Sequence, residues 1–354
     1  MDATIATRFL VLSDTHGEEL IHTSTSRVDV AIHCGDMTEE SKLDEYRTAV
    51  KMLKGIDAPL KLIIAGNHDF SLDEKVFQTH LSETRDRIND DQLLKNTFGN
   101  VGDAKAILEA DDAKQAGIIF LDEGVHHFDL DNGAHLTVYA SPYTSSKSTG
   151  WGFQYNPDQE HEWNISQGVD LVMTHSPPRG ILDYTTSRSR AGIQTLFEEI
   201  ARVKPKVHCF GHIHEAWGAK LVTWREKLSE PPSHFTDIDN DNSRLIESRA
   251  KLWKGKLDTQ DVIDSKAKRL REYQQRGYRE LDDVEIRQSH QTLFLNAAIE
   301  GLEEGQQQLP WVLNIQLPQQ RSSTGENKKR RRSSSEGAEA TRAKTQCTSG
   351  DKVN

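Results

Sequence analysis

The stretch KVHCFGHIH, residues 206–214, decides how this sequence folds. Its apolar beginning is typical of a buried strand, and His212 and His214 stand one residue apart at its end. Alternate residues of a strand point to one face, so the two imidazoles could meet at a metal ion. They could equally be surface histidines in a turn, and the rest of the sequence has to decide between these interpretations.

Eight further runs are short, apolar, rich in β-branched residues and closed by polar or glycine clusters. Continuous runs of this kind suit strands that are buried on both faces of a sheet. Helical patterns lie between some of them, at 41–55 and 192–205, which indicates an α/β layered domain. The runs are RFLVLSD (8–14), VDVAIHCGD (28–36), KLIIAGNHD (61–69), GIIFLDEG (117–124), HLTVYASP (135–142), VDLVMTHSPP (169–178), QTLFLNAAI (291–299) and PWVLNIQLP (310–318).

The segment 225–290 interrupts this pattern of strands. It is rich in charge and poor in apolar positions, so we expect an exposed helical insertion within a domain of residues 1–318. The insertion is a candidate surface for a protein partner. Beyond Pro318 the apolar residues almost disappear, and residues 319–354 are expected to form a disordered, basic and serine-rich tail.

Charge and cysteine content exclude several classes of protein. The chain carries a net charge of −11, but its tail carries +5, so residues 1–318 carry −16 and make a poor nucleic-acid binder. No run approaches the roughly 20 apolar residues of a membrane span, and the N-terminus does not resemble a signal peptide. Cys34, Cys209 and Cys347 show no paired spacing, which favours a reducing, intracellular compartment.

Polar side chains follow five of the runs, in the stretches SDTHG, GDMT, GNHD, THSPP and GHIH. Sites in open α/β sheets form at the carboxyl ends of strands, so these side chains should meet at one edge. Each one alone is more often a helix cap or an ordinary imidazole. The ordered set favours a site for a metal that accepts nitrogen and oxygen ligands, such as manganese, iron or zinc. Its members are Asp14, His16, Asp36, Asn67, His68, Asp69, His175, His212 and His214.

The motifs DTH, GD, GNHD, TH and GHIH, in this order, resemble those of the calcineurin-like metallophosphoesterases over about residues 7–222 and 291–318. Finer stretches, among them KPKVHCFGHIHEAWG and LFLNAA, are similar to the metallophosphoesterase-domain-containing (MPPED) branch and its fungal relatives. The resemblance implies an α/β fold in four layers. A central β-sandwich of mixed sheets would be flanked by helices, with a dimetal site at the strand ends.

The same resemblance implies two divalent metal ions (Mn, Fe or Zn) and their ligands. The first ion is expected to bind a carboxylate and two imidazoles, those of Asp14, His16 and His214. The second is expected to bind an amide and two imidazoles, those of Asn67, His175 and His212. Asp36 would bridge them, and the two histidines of GHIH would serve different ions. Two such ions can bind a phosphoryl oxygen and generate a bridging hydroxide for in-line displacement.

Two catalytic residues follow from the GNHD motif. His68 points away from Asn67 along an extended segment, so it is not expected to share that metal. In the family this position is the general acid for the leaving group or stabilises the transition state. Asp69 could orient His68 through its second ring nitrogen, or it could cap the following helix instead.

The loop SPYTSSKSTGWGFQY carries three candidate substrate-binding residues, Tyr143, Trp151 and Phe153. Their rings could stack on a base or an aryl leaving group. Ordinary packing of loop aromatics explains them as well.

The substrate class follows in part from GDMTEE, residues 35–40. It lacks the Asp-Arg-Gly element of the superfamily's protein Ser/Thr phosphatases. The branch resemblance implies a phosphodiesterase that acts on cyclic nucleotides or other small diesters. A catalytically weak metal-binding scaffold is the alternative, and a phosphomonoesterase or protein phosphatase is less favoured.

The tail contains KKRRRSSS, residues 328–335. Its basic patch 328–332 resembles a nuclear-import signal, and phosphorylation of the adjacent serines would reduce its charge. A solvated tail without that role explains it equally well. The expected location is therefore the cytoplasm, the nucleus or both.

Overall fold

The computed structural model describes residues 3–22, 26–87, 90–148, 150–281, 290–303 and 305–320. Strands and helices follow one another in short runs along this length. The strands are β1 (Thr4–Leu12), β2 (Val30–His33), β3 (Leu60–Ile63), β4 (Ile118–Phe120), β5 (Gly124–Asp129), β6 (His135–Ser141), β7 (Thr144–Ser145), β8 (Gln154–Tyr155), β9 (Leu171–Thr174), β10 (Val207–Phe210), β11 (Gly218–Trp224), β12 (Ile238–Ser248), β13 (Arg279–Glu280), β14 (Gln291–Asn296) and β15 (Trp311–Pro318). The helices are α1 (Leu43–Lys54), α2 (Glu74–Arg87), α3 (Asp91–Phe98), α4 (Asp103–Leu108), α5 (Asp111–Gln115), α6 (Gln194–Val203), α7 (Arg249–Leu252) and α8 (Gln260–Arg276).

The strands form two large mixed sheets. The first has the order β13-β15-β1-β2-β3-β4, and the second has the order β12-β11-β14-β10-β9-β6-β5. Parallel pairs occupy the centre of each sheet, whereas β1–β15 and β11–β14 are antiparallel. Parallel strands are usually covered on both faces, which explains why the sequence shows continuous apolar runs there.

Four layers result from the packing of these sheets. Alternate residues of β1 show the arrangement: Phe9 and Val11 belong to the core between the sheets, whereas Leu10 and Leu12 pack against α1 and its neighbours. The second sheet is covered by α6, whose Phe197 lies in a third apolar cluster with residues of β9 and β10. The expected β-sandwich of mixed sheets flanked by helices is therefore confirmed.

The strands that carry the motifs end at neighbouring points. In the first sheet, β1, β2 and β3 are parallel neighbours, and they lead directly into SDTHG, GDMT and GNHD. In the second sheet, β9 and β10 are parallel neighbours that lead into THSPP and GHIH. All five motifs thus lie at carboxyl ends of central strands.

The expectation of a purely helical insertion at 225–290 is wrong in part. Gln260–Arg276 is a helix, but Ile238–Ser248 forms β12, which pairs with β11 at the edge of the second sheet. Only two of the eleven residues of this edge strand are buried, so it lacks the apolar alternation that marks a strand in sequence. Residues 282–289 lie outside the described residues.

The tail lies almost wholly outside the described part of the chain. The described residues up to Gln319 belong to one compact unit. The predicted disorder of 319–354, the basic patch 328–332 and the domain boundary at 318 stay predictions. Among the described helices, none is both long and apolar enough to cross a bilayer.

We predict that Trp311→Ala lowers the free energy of unfolding by about 3–5 kcal/mol. Trp311 is fully buried, stacks on Trp217 at 4.4 Å between ring centroids, and donates its indole N–H to the carbonyl of Asn296. Urea unfolding followed by circular dichroism measures the change. Leu257→Ala serves as the control, because that side chain is 98% exposed and its loss should change stability by less than about 0.5 kcal/mol. Equal effects of the two substitutions would contradict this description of the core.

Candidate metal centre

The motif loops leave their strands in a backbone conformation that residues with side chains rarely adopt. Asp14, His16, Asp36 and His212 have φ angles of 54°, 46°, 53° and 67°, in the left-handed region. Each such residue costs on the order of 1–3 kcal/mol unless its surroundings enforce the conformation. Four such residues in the short motif loops indicate that the backbone there is held in the conformation that places their side chains.

Two glycines let the backbone approach the carboxylates closely. A Cβ atom added at Gly66 would lie 2.2 Å from Oδ1 of Asp36, and one added at Gly211 would lie 1.9 Å from Oδ2 of Asp14. Both distances are far below van der Waals contact. The glycines of GNHD and GHIH therefore make room for the two acidic side chains.

Three side chains form the first donor group. Nε2 of His214 lies 3.2 Å from Oδ1 of Asp14 and 3.3 Å from Nε2 of His16. Donor atoms on one ion, at bonds of roughly 2.0–2.1 Å, are about 3 Å apart. The spacing of Asp14, His16 and His214 therefore fits a single metal ion.

The second donor group is more deeply buried. Nε2 of His175 lies 3.1 Å from Oδ2 of Asp36 and 3.1 Å from Oδ1 of Asn67. Asp36, His175 and His212 also offer three donor atoms within reach of one ion. Burial and the neighbouring His175 lower the pKa of His212 to about 4, so its ring is neutral near pH 7.

Asp36 lies between the two groups. Its Oδ2 is 3.1 Å from Nε2 of His175 in the second group and 4.0 Å from Nε2 of His16 in the first. Its Oδ1 accepts a hydrogen bond from the backbone N–H of His68 at 2.8 Å, which fixes the orientation of the carboxylate. This is the position that a bridging ligand needs.

The paired histidines of GHIH do not use strand geometry. Strand β10 ends at Phe210, and His214 begins a 3₁₀ turn, His214–Ala216. The loop turns the two rings apart, so that His214 joins the first group and His212 the second. This arrangement fits different metals for the two histidines, as the resemblance implies.

In each histidine, the partner of one ring nitrogen determines which nitrogen is left to bind a metal. Nδ1 of His175 lies 2.9 Å from the carbonyl oxygen of Cys34, which only accepts, so Nδ1 carries the proton and Nε2 is free to ligate. In the first group, Nδ1 of His16 lies 2.7 Å from Oε2 of Glu39, and Nδ1 of His214 lies 3.1 Å from Oε2 of Glu300.

These two glutamates are not among the site residues predicted from the sequence. Glu39 follows the GDMT motif directly, and Glu300 comes directly after the apolar run that forms β14. Proximity to the end of a strand was the available signal. Neither residue belongs to a ligand motif, so only this proximity separates them from other exposed glutamates.

His68 lies against both the first group and the aromatic loop. Its Nδ1 is 2.7 Å from the carbonyl oxygen of Glu39, which leaves Nε2 as the atom available to a substrate. Its ring centroid is 4.7 Å from that of His16 and 4.2 Å from that of Trp151. The position suits a group that donates a proton beside the two donor groups, and the catalytic role stays a prediction.

Among the described residues, the carboxylate of Asp69 makes no hydrogen bond to the ring of His68, the first of the two roles considered for it. The carboxylate of Asp69 accepts hydrogen bonds from the N–H groups of Gly66, Met37 and Thr38 and from the hydroxyl of Thr38, at 2.8 to 3.2 Å. It makes no side-chain cap to the following 3₁₀ turn either. Asp69 thus ties the GDMT loop to the GNHD loop, and burial together with the charge of Asp36 raises its pKa to about 6.

The three candidate substrate-binding aromatics occupy different surroundings. Trp151 packs on His68, and the next residue, Gly152, donates its N–H to the carbonyl of Asn67 at 2.9 Å. Tyr143 instead contacts His161 at 4.7 Å between ring centroids and Phe153 edge-on at 6.0 Å. The structure places Trp151 beside the donor groups, whereas Tyr143 and Phe153 belong to the packing of the loop.

Two mixed sheets lie between layers of helices, with two donor groups at the strand ends. This arrangement defines a candidate metal-dependent phosphoesterase. A sequence model described as "Calcineurin-like phosphoesterase" matches residues 7–216. The chain belongs to this family.

Similar proteins include UPF0046 protein T07D4.2 of Caenorhabditis elegans, which is 30% identical over 217 residues, covering 60% of this chain and 52% of the relative. The human Metallophosphoesterase domain-containing protein 1 is 30% identical over 223 residues, covering 60% of this chain and 62% of the relative. The chain thus matches less than two thirds of the length of either. A solved structure from Thermus thermophilus, that of the protein TT1561, is 10% identical and covers 59% of this chain and 82% of that chain, with a TM-score of 0.35.

We predict that Asp69→Ala lowers the free energy of unfolding of the metal-free protein by about 3–5 kcal/mol, because buried N–H groups lose their acceptor. Urea unfolding followed by circular dichroism measures the loss. Asp158→Ala is the control, since Asp158 is exposed. Unchanged stability with lost turnover would instead support a catalytic Asp69.

Proposed function

We propose that this protein hydrolyses phosphodiester bonds in small substrates, with two divalent metal ions as cofactors. The observation that carries the proposal is the placement of Asp36 between two donor groups, 3.1 Å from His175 and 4.0 Å from His16. Membership of the family supports metal-dependent hydrolysis of phosphoesters. The choice of diesters, such as cyclic nucleotides, rests on the MPPED resemblance and on GDMTEE, which lacks an arginine.

Seven side chains would hold the ions, three for each ion and one shared. When bound, the ions polarise the phosphoryl group and lower the pKa of water. Manganese, iron and zinc each suit nitrogen and oxygen donors of this kind. The first ion would use Asp14, His16 and His214. The second would use Asn67, His175 and His212. Asp36 would be shared.

His68 would protonate the leaving oxygen. Because Nδ1 faces the carbonyl of Glu39, Nε2 is the atom that can deliver the proton. The ring of Trp151 lies 4.2 Å away and restricts the rotation of the imidazole. Trp151 would also form one wall of the cleft against the leaving group.

A second candidate function is partner binding through the segment 225–290. Phe235 and Leu257 are 77% and 98% exposed there, and large apolar side chains in solvent are common at interaction surfaces. In this alternative the metal centre would be a scaffold element with weak turnover.

We infer a cytoplasmic or nuclear location from the cysteine content and from the basic patch 328–332.

We predict that protein stripped of metal regains hydrolysis of bis(p-nitrophenyl) phosphate when titrated with manganese, and that Asp36→Ala abolishes it. The physical reason is that Asp36 serves both donor groups. Asp44→Ala is the control, because this side chain is 91% exposed on α1. Release of p-nitrophenolate gives the rate. Folded, manganese-loaded protein without turnover would favour the partner-binding alternative.

We predict that His68→Ala lowers kcat by about 10²- to 10⁴-fold, the usual contribution of a general acid, while two ions stay bound. Steady-state kinetics and metal analysis of the same preparation measure the two properties. His126→Ala, on the edge strand β5, is the matched control. Loss of metal from His68→Ala would show that His68 is a structural residue.

A further inference from the structure

Carboxylates surround the first donor group on its solvent side. Oε2 of Glu39 lies 2.7 Å from Nδ1 of His16, and Oε2 of Glu300 lies 3.1 Å from Nε2 of His16 and 3.1 Å from Nδ1 of His214. The side chains of Glu39 and Glu300 are 54% and 47% exposed. Glu18 lines the same cleft, and the described residues that line it include neither lysine nor arginine.

The two glutamates differ from other acidic residues nearby in their partners. Glu40 pairs with Lys42, whereas the ion-pair contacts of Glu39 and Glu300 within the described chain are with histidines alone. His16 and His214 are neutral when they hold a metal, so they cannot compensate a carboxylate. His68 is not a metal ligand in this scheme; its Nδ1 lies 3.7 Å from Oε2 of Glu39, so it offsets part of that charge only while it carries the proton for the leaving group. Both glutamates therefore keep a negative charge at the mouth of the loaded centre.

We propose that Glu39 and Glu300 are specificity-determining residues that shift the centre toward phosphodiesters and away from phosphomonoesters. This inference rests on the proposed function. A diester carries one negative charge, whereas a phosphate monoester carries about 1.5 to 2 near pH 7. The metals attract the more highly charged ester more strongly, and two carboxylates beside the phosphate cancel part of that advantage, since repulsion grows with the charge of the substrate.

The charge of each glutamate can be separated from its contact with a histidine. A glutamine at either position keeps an oxygen that can accept a hydrogen bond from an imidazole N–H, but it removes the charge. If the glutamates only orient the histidines, the substitutions should weaken metal binding or change the hydrolysis of diester and monoester by the same factor. A role in specificity changes the ratio of the two reactions.

The experiment compares Glu39→Gln, Glu300→Gln and the double variant with wild type, at saturating manganese and with metal content measured. The readout is the ratio of kcat/KM for bis(p-nitrophenyl) phosphate to that for p-nitrophenyl phosphate. We expect each single substitution to lower this ratio about 3- to 10-fold, and added salt to reduce the difference between wild type and variants. Glu40→Gln and Glu303→Gln are matched neighbours that should leave the ratio unchanged.

A binding measurement removes the dependence on turnover. Calorimetry of the manganese-loaded proteins should show that the substitutions raise the affinity for inorganic phosphate more than that for dimethyl phosphate. If fully loaded variants keep the wild-type selectivity in both kinetics and calorimetry, the assignment of Glu39 and Glu300 is overturned, whereas the proposed function is not affected. Manganese-loaded wild type that hydrolyses neither ester and binds neither anion would overturn the proposed function as well.

Discussion

The buried carboxylate of Asp69 is the constraint on which the candidate metal centre depends. It accepts hydrogen bonds from Gly66, Met37 and Thr38, and so it holds the loop of Asp36 against the loop of Asn67. Asp36 and Asn67 follow neighbouring strands, and the distance between them sets where the two donor groups meet. Because the acceptor is buried and its bonds lie within the protein, the donor atoms are in place before any ion arrives.

The layers behind the loops explain how strained backbone is tolerated. Four candidate ligands sit in the left-handed region, and each would relax if its loop were free. The loops are short, and each follows a strand whose residues are buried in the core between the sheets or beneath the helices. The apolar sandwich thus stabilises a local conformation that the loop sequences alone would not adopt.

The central strands and the candidate ligands at their ends could be predicted from the sequence. Parallel strands covered on both faces show as unbroken apolar runs, and sites form where such strands end, so KLIIAGNHD indicates both a strand and its ligand. Edge strand β12 could not be recognised, because its solvent-facing side chains carry no apolar pattern. Apart from the N–H of Gly66, the hydrogen-bond donors to Asp69 belong to Met37 and Thr38 in the GDMT loop, about thirty positions earlier in the chain. A contact of that kind depends on how strands pair, which residue spacing does not reveal.

The attachment of Gly152 to the site limits how this cleft can diversify. Its N–H bonds to the carbonyl of the candidate ligand Asn67, and a Cβ atom there would lie 2.7 Å from Cα of Phe70. The loop that carries Trp151 is therefore attached to the candidate metal centre, and a residue inserted next to Gly152 would displace the candidate ligand Asn67. New substrates can be accommodated through exchanged side chains on this loop, while its hydrogen bond to the candidate ligand Asn67 keeps its length constant.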